Sequence, residues 1–316
     1  MSTAVVSRPG PNARRDVVPH DEPVPSVAGA HWEARDLAYV HPDARRPAVA
    51  GATCAVPPAR LTALLGPNGA GKSTLLTLLL GTARPAAGTA SFAGRPATAW
   101  PRAALARRVG VVPQGETFAF PLTVRALAEM GRYPHLGPWQ PAGRADRAIV
   151  DGALARCGLT ELAGREVGTL SGGERQRARL ARALAQIAGP DGAPAPGAAL
   201  ALDEPTAALD LAHEMAFFGL VRGLADLGTT VLLVTHNLNL AARFADHLVL
   251  LDGGRVAAAG PPESVLTAER VSRVYGWPVA VVQHPGPGRG RGAPQIVPLD
   301  PDTPDDRPHD APNGAR

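Results

Sequence analysis

Short apolar runs alternate with segments of helical periodicity along most of this chain. The runs have the length of buried strands, and the helical segments place hydrophobic residues three and four positions apart. The runs are 61–65, 109–114, 198–202 and 229–234, and the helical segments are 75–80, 211–227 and 238–245. This alternation is typical of an α/β fold, in which a mostly parallel sheet carries helices on both faces.

Two regions depart from this alternation and predict subdomains. Residues 32–40, 49–56 and 89–92 are strand-like and separated by turns, which predicts an antiparallel β subdomain. Residues 122–185 are dominated by helical periodicity with glycine and proline interruptions, which predicts a helical subdomain at about 118–185.

The two ends of the chain differ in composition from the region between them. Residues 1–30 are rich in proline and polar residues, and residues 285–316 are rich in Pro, Gly, Arg and Asp. Such segments bury too little apolar surface to offset the entropy lost on ordering. We therefore expect disordered ends at 1–30 and 285–316, and one folded domain at 31–284.

The segment 66–74 fits the phosphate-loop pattern G-x-x-x-x-G-K-[ST] at every fixed position. A predicted strand precedes it and a predicted helix follows it, which distinguishes a phosphate loop from an ordinary glycine-rich turn. Glycines let backbone N–H groups converge on phosphate oxygens, and the helix directs its positive end at the same anion. The expected nucleotide-binding residues are Gly66, Pro67, Asn68, Gly69, Ala70, Gly71, Lys72, Ser73 and Thr74.

Two side chains of this segment have distinct predicted tasks. Lys72 is the only lysine in the chain, every other strong base being arginine. An ammonium on a flexible stem suits the β- and γ-phosphates, and the Ser73 hydroxyl would bind Mg²⁺. The loop therefore predicts ATP and Mg²⁺ as cofactors.

A pair of carboxylates ends one of the apolar runs. Residues 199–202 lead directly into Asp203 and Glu204. In a phosphate-loop fold such an aspartate lies beside the metal ion, and the next carboxylate can polarise the water that attacks the γ-phosphorus. We assign Asp203 to the metal and Glu204 to the general base, against the alternative of a solvated acidic pair.

Composition narrows the class of protein. The net charge of +4 is spread thinly and aromatic residues are 4%, which is weak support for a nucleic-acid partner. Cys54 and Cys157 lack metal-site spacing and indicate ordinary thiols. Since no run reaches 18 apolar residues and no secretory signal is evident, we expect a cytoplasmic protein, held at a membrane only by a partner.

A second predicted anion site begins at residue 171. Ser171, Gly172 and Gly173 precede the helical segment 175–185, so a hydroxyl and glycine amides would stand at a helix N-terminus. The sequence Leu170–Glu174, LSGGE, together with one phosphate loop resembles the signature of the ATP-binding-cassette (ABC) ATPases. This resemblance implies a P-loop NTPase fold and a homodimer in which LSGGE of one subunit closes over the γ-phosphate bound by the other.

The resemblance also implies roles for four further residues. Gln114 matches the glutamine that links metal and attacking water to the membrane partner, so it is expected to be a catalytic residue and a metal ligand. His236 matches the switch histidine at the γ-phosphate and is expected to be catalytic. Asp210, in the segment 208–210, matches the loop that bridges the two subunits. The aromatic that stacks on adenine falls at or near His41, with Tyr39 as the alternative.

Within the family, several segments are similar to importers of iron chelates, haem and vitamin B12, and most similar to the haem-import ATPases. These segments are 120–124, 130–135, 210–213, 236–242, 260–267 and 274–276. Asn237 departs from the aspartate usual in that group.

The resemblance implies an ATPase at the cytoplasmic face of the membrane, working with a multi-spanning permease and indirectly with a substrate-binding protein. Haem is the first expectation for the cargo, followed by an iron-siderophore complex and cobalamin. The alternatives are a soluble ABC ATPase acting on ribosomes or DNA and a P-loop kinase. One phosphate loop without heptads argues against the first alternative, and LSGGE argues against the second.

Overall fold

The computed structural model describes residues 31–300 apart from Asp43, Thr117, Ala119, Pro138, Ala208 and Arg289. Its strands are β1 (Trp32–Tyr39), β2 (Val49–Val56), β3 (Leu61–Leu65), β4 (Ala87–Phe92), β5 (Arg95–Pro96), β6 (Val109–Val112), β7 (Ala199–Asp203), β8 (Thr230–Val234), β9 (His247–Asp252), β10 (Arg255–Gly260), β11 (Val279–Gln283) and β12 (Pro294–Pro298). Its α-helices are α1 (Lys72–Leu79), α2 (Arg102–Ala106), α3 (Val124–Glu129), α4 (Arg144–Arg156), α5 (Gly172–Ile187), α6 (Leu211–Asp226), α7 (Leu238–Phe244), α8 (Pro262–Val265) and α9 (Ala268–Tyr275). The disorder predicted for 1–30 and 301–316 lies outside the described residues.

The central sheet has the strand order β10-β9-β3-β8-β7-β6. Its pairs are parallel from β9 through to β6, and β10 joins the edge in the antiparallel direction. A parallel sheet is covered by helices on both faces, which is why its strands appear in the sequence as continuous apolar runs. The predicted α/β architecture is confirmed.

Strand β7 shows how this sheet separates two cores. Leu200 and Leu202 face the helical subdomain, while Ala199 and Ala201 face α1 and the β subdomain. Successive side chains of a strand point to opposite faces, so one short run contributes to both cores. The carboxyl end of β7 is thereby fixed from both sides at Asp203.

The antiparallel subdomain is a sheet of order β2-β1-β4-β5. Trp32 and Phe92 are fully buried within it, with ring centroids 5.2 Å apart. The same core includes Leu75 and Leu78 of α1, so this subdomain supports the helix that follows the phosphate loop.

In the helical subdomain, a buried arginine holds the far end of α5. Arg132 donates to the carbonyl oxygens of Ala185 at 2.7 Å and Ala188 at 3.2 Å, and its Nε is 3.0 Å from Asp146 Oδ1. A guanidinium satisfies the carbonyls that a helix leaves unpaired at its C-terminus. The N-terminus of the same helix carries the LSGGE segment.

The C-terminal region corrects one sequence-based expectation. Composition predicts a disordered tail from residue 285, but β12 pairs with β11 in an antiparallel hairpin. Ile296 is 7% exposed, and its backbone N–H donates to Asn239 Oδ1 at 2.7 Å. The hairpin forms because it packs on α7, a contact that composition does not register.

Both cysteines are buried and free. Burial raises the pKa of each thiol to about 12. Neither is a reactive thiolate at neutral pH, in agreement with the prediction of ordinary thiols.

Candidate functional site

The phosphate loop connects β3 to α1 in a conformation that requires glycine. Gly66 has φ 147°, and a Cβ there would collide with the carbonyl oxygen of Leu251. Gly71 has φ 95°, and a Cβ there would collide with the carbonyl oxygen of Ala48. The loop is therefore held between β9 and the β subdomain, and it leads into the N-terminus of α1.

Lys72, the first residue of α1, spans the loop that precedes it. Its Nζ donates to the carbonyl oxygens of Gly66 at 2.9 Å and Pro67 at 3.1 Å, and the residue is 6% exposed. Burial lowers the pKa of Lys72, and the carboxylates of Glu204 and Asp203 oppose that shift. The ammonium is thus held against the phosphate loop by two backbone carbonyls.

Ser73 and Asp203 bring two oxygen ligands together. Ser73 Oγ donates to Asp203 Oδ1 at 3.2 Å, joining the start of α1 to the end of β7. Burial raises the pKa of Asp203, and the charge of Glu204 adds to the rise, while Ser73 and Lys72 oppose it. A hydroxyl and a carboxylate are hard oxygen donors of the kind that bind Mg²⁺.

Glu204 has a strained backbone and a fixed side chain. Its φ is 44°, in the left-handed region that a residue with a side chain rarely adopts. Gln114 Nε2 donates to its Oε2 at 2.8 Å, and the backbone N–H of Glu204 donates to the carbonyl of Val234 at 3.1 Å. Strain of this kind concentrates at functional sites, where the surroundings hold the residue in place.

His41 follows β1 of the β subdomain and contacts the phosphate loop. Its Nε2 is 3.2 Å from Thr74 Oγ1, and its ring contacts Tyr39 edge to face at a centroid distance of 5.0 Å. His41 is exposed and Tyr39 is half-buried. Both candidates for adenine stacking therefore lie at the same edge of the loop, with His41 the more accessible.

The LSGGE segment forms a capped helix start. Ser171 Oγ accepts from the Glu174 N–H at 3.2 Å, and Glu174 Oε2 accepts from the Ser171 N–H at 2.8 Å. This reciprocal pair is a capping box, and it leaves the hydroxyl proton of Ser171 able to donate. Ser171 and Gly172 are exposed, so a ligand from outside the chain can reach them.

Asp210 and Gly173 meet through His213. Asp210 begins α6 and accepts from His213 Nδ1 at 2.8 Å. A Cβ on Gly173 would lie 2.5 Å from His213 Cδ2. The imidazole therefore connects the segment after β7 to the LSGGE helix, and it requires the second glycine of LSGGE. Ala208, part of the predicted bridging loop, lies outside the described residues.

Comparison with known proteins identifies the family. A family model described as ABC transporter matches residues 49–207. A hemin import ATP-binding protein from Nocardia farcinica is 47% identical over 236 residues, covering 74% of this chain and 77% of the relative. The chain belongs to the ABC transporter family. The resemblance to ABC ATPases drawn from the sequence is confirmed, and the nucleotide of the phosphate loop is an adenine nucleotide.

Other matches to this ABC ATPase agree in fold and differ in named cargo. A cobalamin import ATP-binding protein from Halobacterium salinarum is 45% identical over 229 residues, covering 72% of this chain and 55% of the relative. A chain of an inward-facing metal-chelate type ABC transporter has a TM-score of 0.71 and 28% identity, covering 86% of this chain and 98% of that one. The dimeric ABC transporter cassette MJ0796 has a TM-score of 0.62 and 24% identity, covering 73% of this chain and 98% of that one, and shows the shared fold alone.

Most of the predicted site residues of this ABC ATPase fall into two groups. Direct hydrogen bonds connect Ser73 with Asp203, Gln114 with Glu204 and His41 with Thr74 around the phosphate loop. Ser171, Gly173 and Asp210 form a separate group at the starts of α5 and α6. His236 is exposed at the end of β8, the strand next to β7. Gln114 was predicted as a metal ligand, yet its amide nitrogen is committed to Glu204.

Sequence reasoning missed the residues that hold these groups in place. Glu116 Oε1 accepts from Arg182 at 2.7 Å, and its carbonyl accepts from Arg179 at 2.6 Å, which ties the segment after Gln114 to α5. Glu174 had a sequence signal, since Ser followed three residues later by Glu predicts a capping box. Glu116 had none, because its partners lie more than 60 residues away.

Among the described residues, no helix has both the length and the apolar character that crossing a bilayer requires.

Proposed function

We propose that this chain is the ATP-hydrolysing subunit of an ABC importer, and that haem is the cargo. The observation that carries the ATPase assignment is the hydrogen bond of 2.8 Å between Gln114 and Glu204 beside the buried ammonium of Lys72. It holds a carboxylate at the end of β7, next to a loop built for a phosphate chain. That arrangement supports activation of a water for attack on the γ-phosphorus.

Each residue of the site has a proposed task. The backbone of 66–74 and Lys72 bind the phosphates, Glu204 takes the proton of the attacking water, and His236 contacts the γ-phosphate. His41 contributes the surface on which adenine stacks, supported by its contact with Thr74 and by its exposure. Ser171, Gly172, Gly173 and Asp210 act on the nucleotide of a second copy of the chain.

The donor set at Ser73 fits Mg²⁺. One hydroxyl and one carboxylate leave several positions for water and phosphate oxygens, which is how Mg²⁺ is bound in ATP sites. Ser73 and Asp203 would hold the ion, and the amide oxygen of Gln114 is a further donor, since its nitrogen is the atom bonded to Glu204. When bound, the ion neutralises charge that develops on the phosphates.

A homodimer is the proposed working form. Ser171 is exposed and its hydroxyl proton is able to donate. It lies in a different group of site residues from the phosphate loop of its own chain, so we propose that it meets the nucleotide of a second copy. Two such half-sites facing each other would enclose two nucleotides, and hydrolysis would allow the pair to separate.

The partner of the dimer is a permease. The relatives named above are import ATP-binding proteins, and a structural neighbour is a metal-chelate type ABC transporter. On the strength of these relatives, we propose attachment to the cytoplasmic face through that permease. A substrate-binding protein would deliver the cargo to the permease.

Haem is favoured as the cargo by the relative at 47% identity, a hemin import protein, over the cobalamin import protein at 45%. Expression with its permease in an iron-starved host that lacks haem uptake tests this choice. Growth on haem as the sole iron source supports haem. Growth on a ferric siderophore alone, or transport of cobalamin alone, would assign the cargo to that compound.

The proposed ATPase domain is 31–284, with the helical subdomain at about 118–185. The hairpin of β11 and β12 extends this unit to residue 298, because Ile296 is buried against the domain. Residues 1–30 and 299–316 have no proposed role in the reaction.

Substitution of Glu204 tests the ATPase mechanism. Glu204→Gln keeps an oxygen that accepts from Gln114 but removes the basic carboxylate. We expect kcat to fall by about 10²–10⁴-fold, while the affinity for ATP is retained and MgATP shifts the variant to a dimer in size-exclusion chromatography. Glu161→Gln, an exposed carboxylate of the helical subdomain, is the matched control. Turnover near wild type in Glu204→Gln would remove Glu204 as the base.

A further inference from the structure

Glu214 receives hydrogen bonds from two loops that leave the central sheet side by side. Thr206 Oγ1 donates to Glu214 Oε1 at 2.9 Å, and Asn237 Nδ2 donates to Glu214 Oε2 at 3.3 Å. Thr206 lies two residues after Glu204, and Asn237 follows His236 directly. One carboxylate therefore joins the loop of the proposed base to the loop of the proposed switch histidine.

The polarity of the contact between Asn237 and Glu214 is set by the backbone. Asn237 is the N-cap residue just before α7, and its Oδ1 accepts from the Leu240 N–H at 3.1 Å. A backbone N–H can only donate, so the amide oxygen faces the helix and the amide nitrogen faces Glu214. An aspartate at this position could still cap α7, but it would direct a second carboxylate oxygen at Glu214.

The environment makes such a conflict costly. Thr206 is 5% exposed, and both Glu214 and Asn237 are half-buried. Like charges at hydrogen-bond distance repel, and partial burial reduces the screening by water. Asparagine at 237 is thus matched to the carboxylate of Glu214.

We propose that Glu214 is a positioning residue that holds the His236 loop in register with the Glu204 loop, and that its carboxylate dictates asparagine at 237. This inference rests on the proposed roles of Glu204 and His236. It predicts that the side chains at 214 and 237 must be exchanged together. In Glu214→Gln/Asn237→Asp, the new amide accepts from Thr206 and donates to the new carboxylate. Both hydrogen bonds persist, and in the bond between residues 214 and 237 the donor and the acceptor exchange places.

A cycle of four full-length proteins tests the proposal: wild type, Glu214→Gln, Asn237→Asp and the double variant. We expect Asn237→Asp to lower kcat about tenfold, with the KM for ATP unchanged within about twofold, because the phosphate loop is untouched. Glu214→Gln alone should be mild, since the Thr206 hydroxyl can either donate or accept. In the double variant, kcat should return to within about threefold of wild type.

Asn239→Asp is the matched control, because it adds the same charge to the same helix. Asn239 faces the backbone of Ile296 instead of Glu214. We expect the kcat of Asn239→Asp to match wild type. If Asn239→Asp changes the melting temperature, adding Glu214→Gln should not reverse that change.

The outcomes separate this inference from the proposed function. Melting temperatures of the four proteins without nucleotide must follow the same pattern: Asn237→Asp lowers the melting temperature, and the double variant recovers it. A wild-type kcat in Asn237→Asp, or a double variant no better than that single one, overturns the proposal, as does a double variant that fails to fold. A wild-type protein without ATPase activity that still shows the thermal cycle would contradict the proposed function alone.

Discussion

Gln114 Nε2 lies 2.8 Å from Glu204 Oε2, which joins the segment after β6 to the carboxyl end of β7. The contact restrains a carboxylate whose own backbone is in the left-handed region, at φ 44°. Under the proposed roles, a single amide serves two tasks, since its nitrogen donates to Glu204 and its oxygen remains a donor for a cation.

Removing that amide should therefore change two measured quantities. We expect Gln114→Ala to lower kcat about tenfold, because the base loses its restraint. We also expect a higher Mg²⁺ concentration at half-maximal rate, because the ion loses a proposed donor. Steady-state ATPase assays across a Mg²⁺ series measure both. A lower kcat with an unchanged Mg²⁺ requirement would exclude Gln114 as a ligand and leave only its role at Glu204.

The unique lysine provides a direct probe of the phosphate loop. Selective ¹⁵N-lysine labelling gives one backbone amide signal, from Lys72 at the first position of α1. We expect this signal to shift on titration with ATP, and much less with AMP, which lacks the β- and γ-phosphates. Lys72→Ala should weaken ATP binding about 10²-fold, because a charge-assisted contact is lost. A Lys72 amide signal that does not shift on addition of ATP would contradict the nucleotide site.

We expect the ionised carboxylate of Asp203 to lower the stability of the folded chain at neutral pH. Burial raises its pKa in the folded chain, so the folded state binds more protons than the unfolded state between the two pKa values. Its contribution to stability therefore falls as pH rises from the unfolded pKa through the folded one. We expect Asp203→Asn to melt at a higher temperature than wild type at pH 7, with the difference shrinking as the pH is lowered through that range.

The same variant should lose activity. The amide of Asp203→Asn can still accept from Ser73, but it provides a weaker ligand for a cation. We expect ATPase activity to fall by about 10²-fold or more, since a catalytic metal contributes several kcal/mol. Asp151→Asn, a surface carboxylate, is the control for the melting temperature. A lower melting temperature for Asp203→Asn at pH 7 would contradict the assigned cost.

The phosphate loop and its flanking strands could be predicted because their signals are local. Strand β3 at Leu61–Leu65 coincides with its apolar run, and the loop conformation follows from glycines at fixed spacing. The mostly parallel direction of the central sheet also follows the general rule for alternating strands and helices. Asp203 and Glu204 were predicted to stand together at the end of an apolar strand, and β7 ends at Asp203 with Glu204 next in the chain.

The supporting contacts could not be predicted because they depend on distant partners. Glu116 meets Arg182 and Glu214 meets Asn237 only after the fold has formed. Strand β12 was hidden for the same reason, since its formation depends on Asn239 and a single buried isoleucine. Composition describes a segment by itself and takes no account of the surface on which it packs.

Truncation at the C-terminus checks that conclusion. A chain ending at residue 285 loses β12, the burial of Ile296 and both hydrogen bonds to Asn239. We expect its free energy of unfolding to fall by about 2–4 kcal/mol, measured by urea denaturation. A chain ending at residue 300, or one lacking residues 1–28, should retain wild-type stability and ATPase activity. Equal stability for all three truncations would show that the hairpin adds nothing.

Glu116 offers the sharpest test of how the segment after Gln114 is held against α5. Its carboxylate lies 2.7 Å from Arg182 Nη1, and the side chains of Arg179 and Arg182 are 6% and 12% exposed. Neutralising one partner of a largely buried pair leaves the other charge without compensation. We expect Glu116→Gln to lower the free energy of unfolding by about 1.5–3 kcal/mol.

The exposed pair of Arg125 and Asp151 in the same subdomain is the matched comparison. Its nitrogen–oxygen distance is also 2.7 Å, but its side chains are 40% and 57% exposed. Exposed pairs contribute about 0–1 kcal/mol, so Asp151→Asn should lie close to wild type in urea denaturation. Because the shortest nitrogen–oxygen distances are the same and the burial differs, equal losses in the two variants would refute the idea that Glu116 fastens the segment after Gln114 to α5.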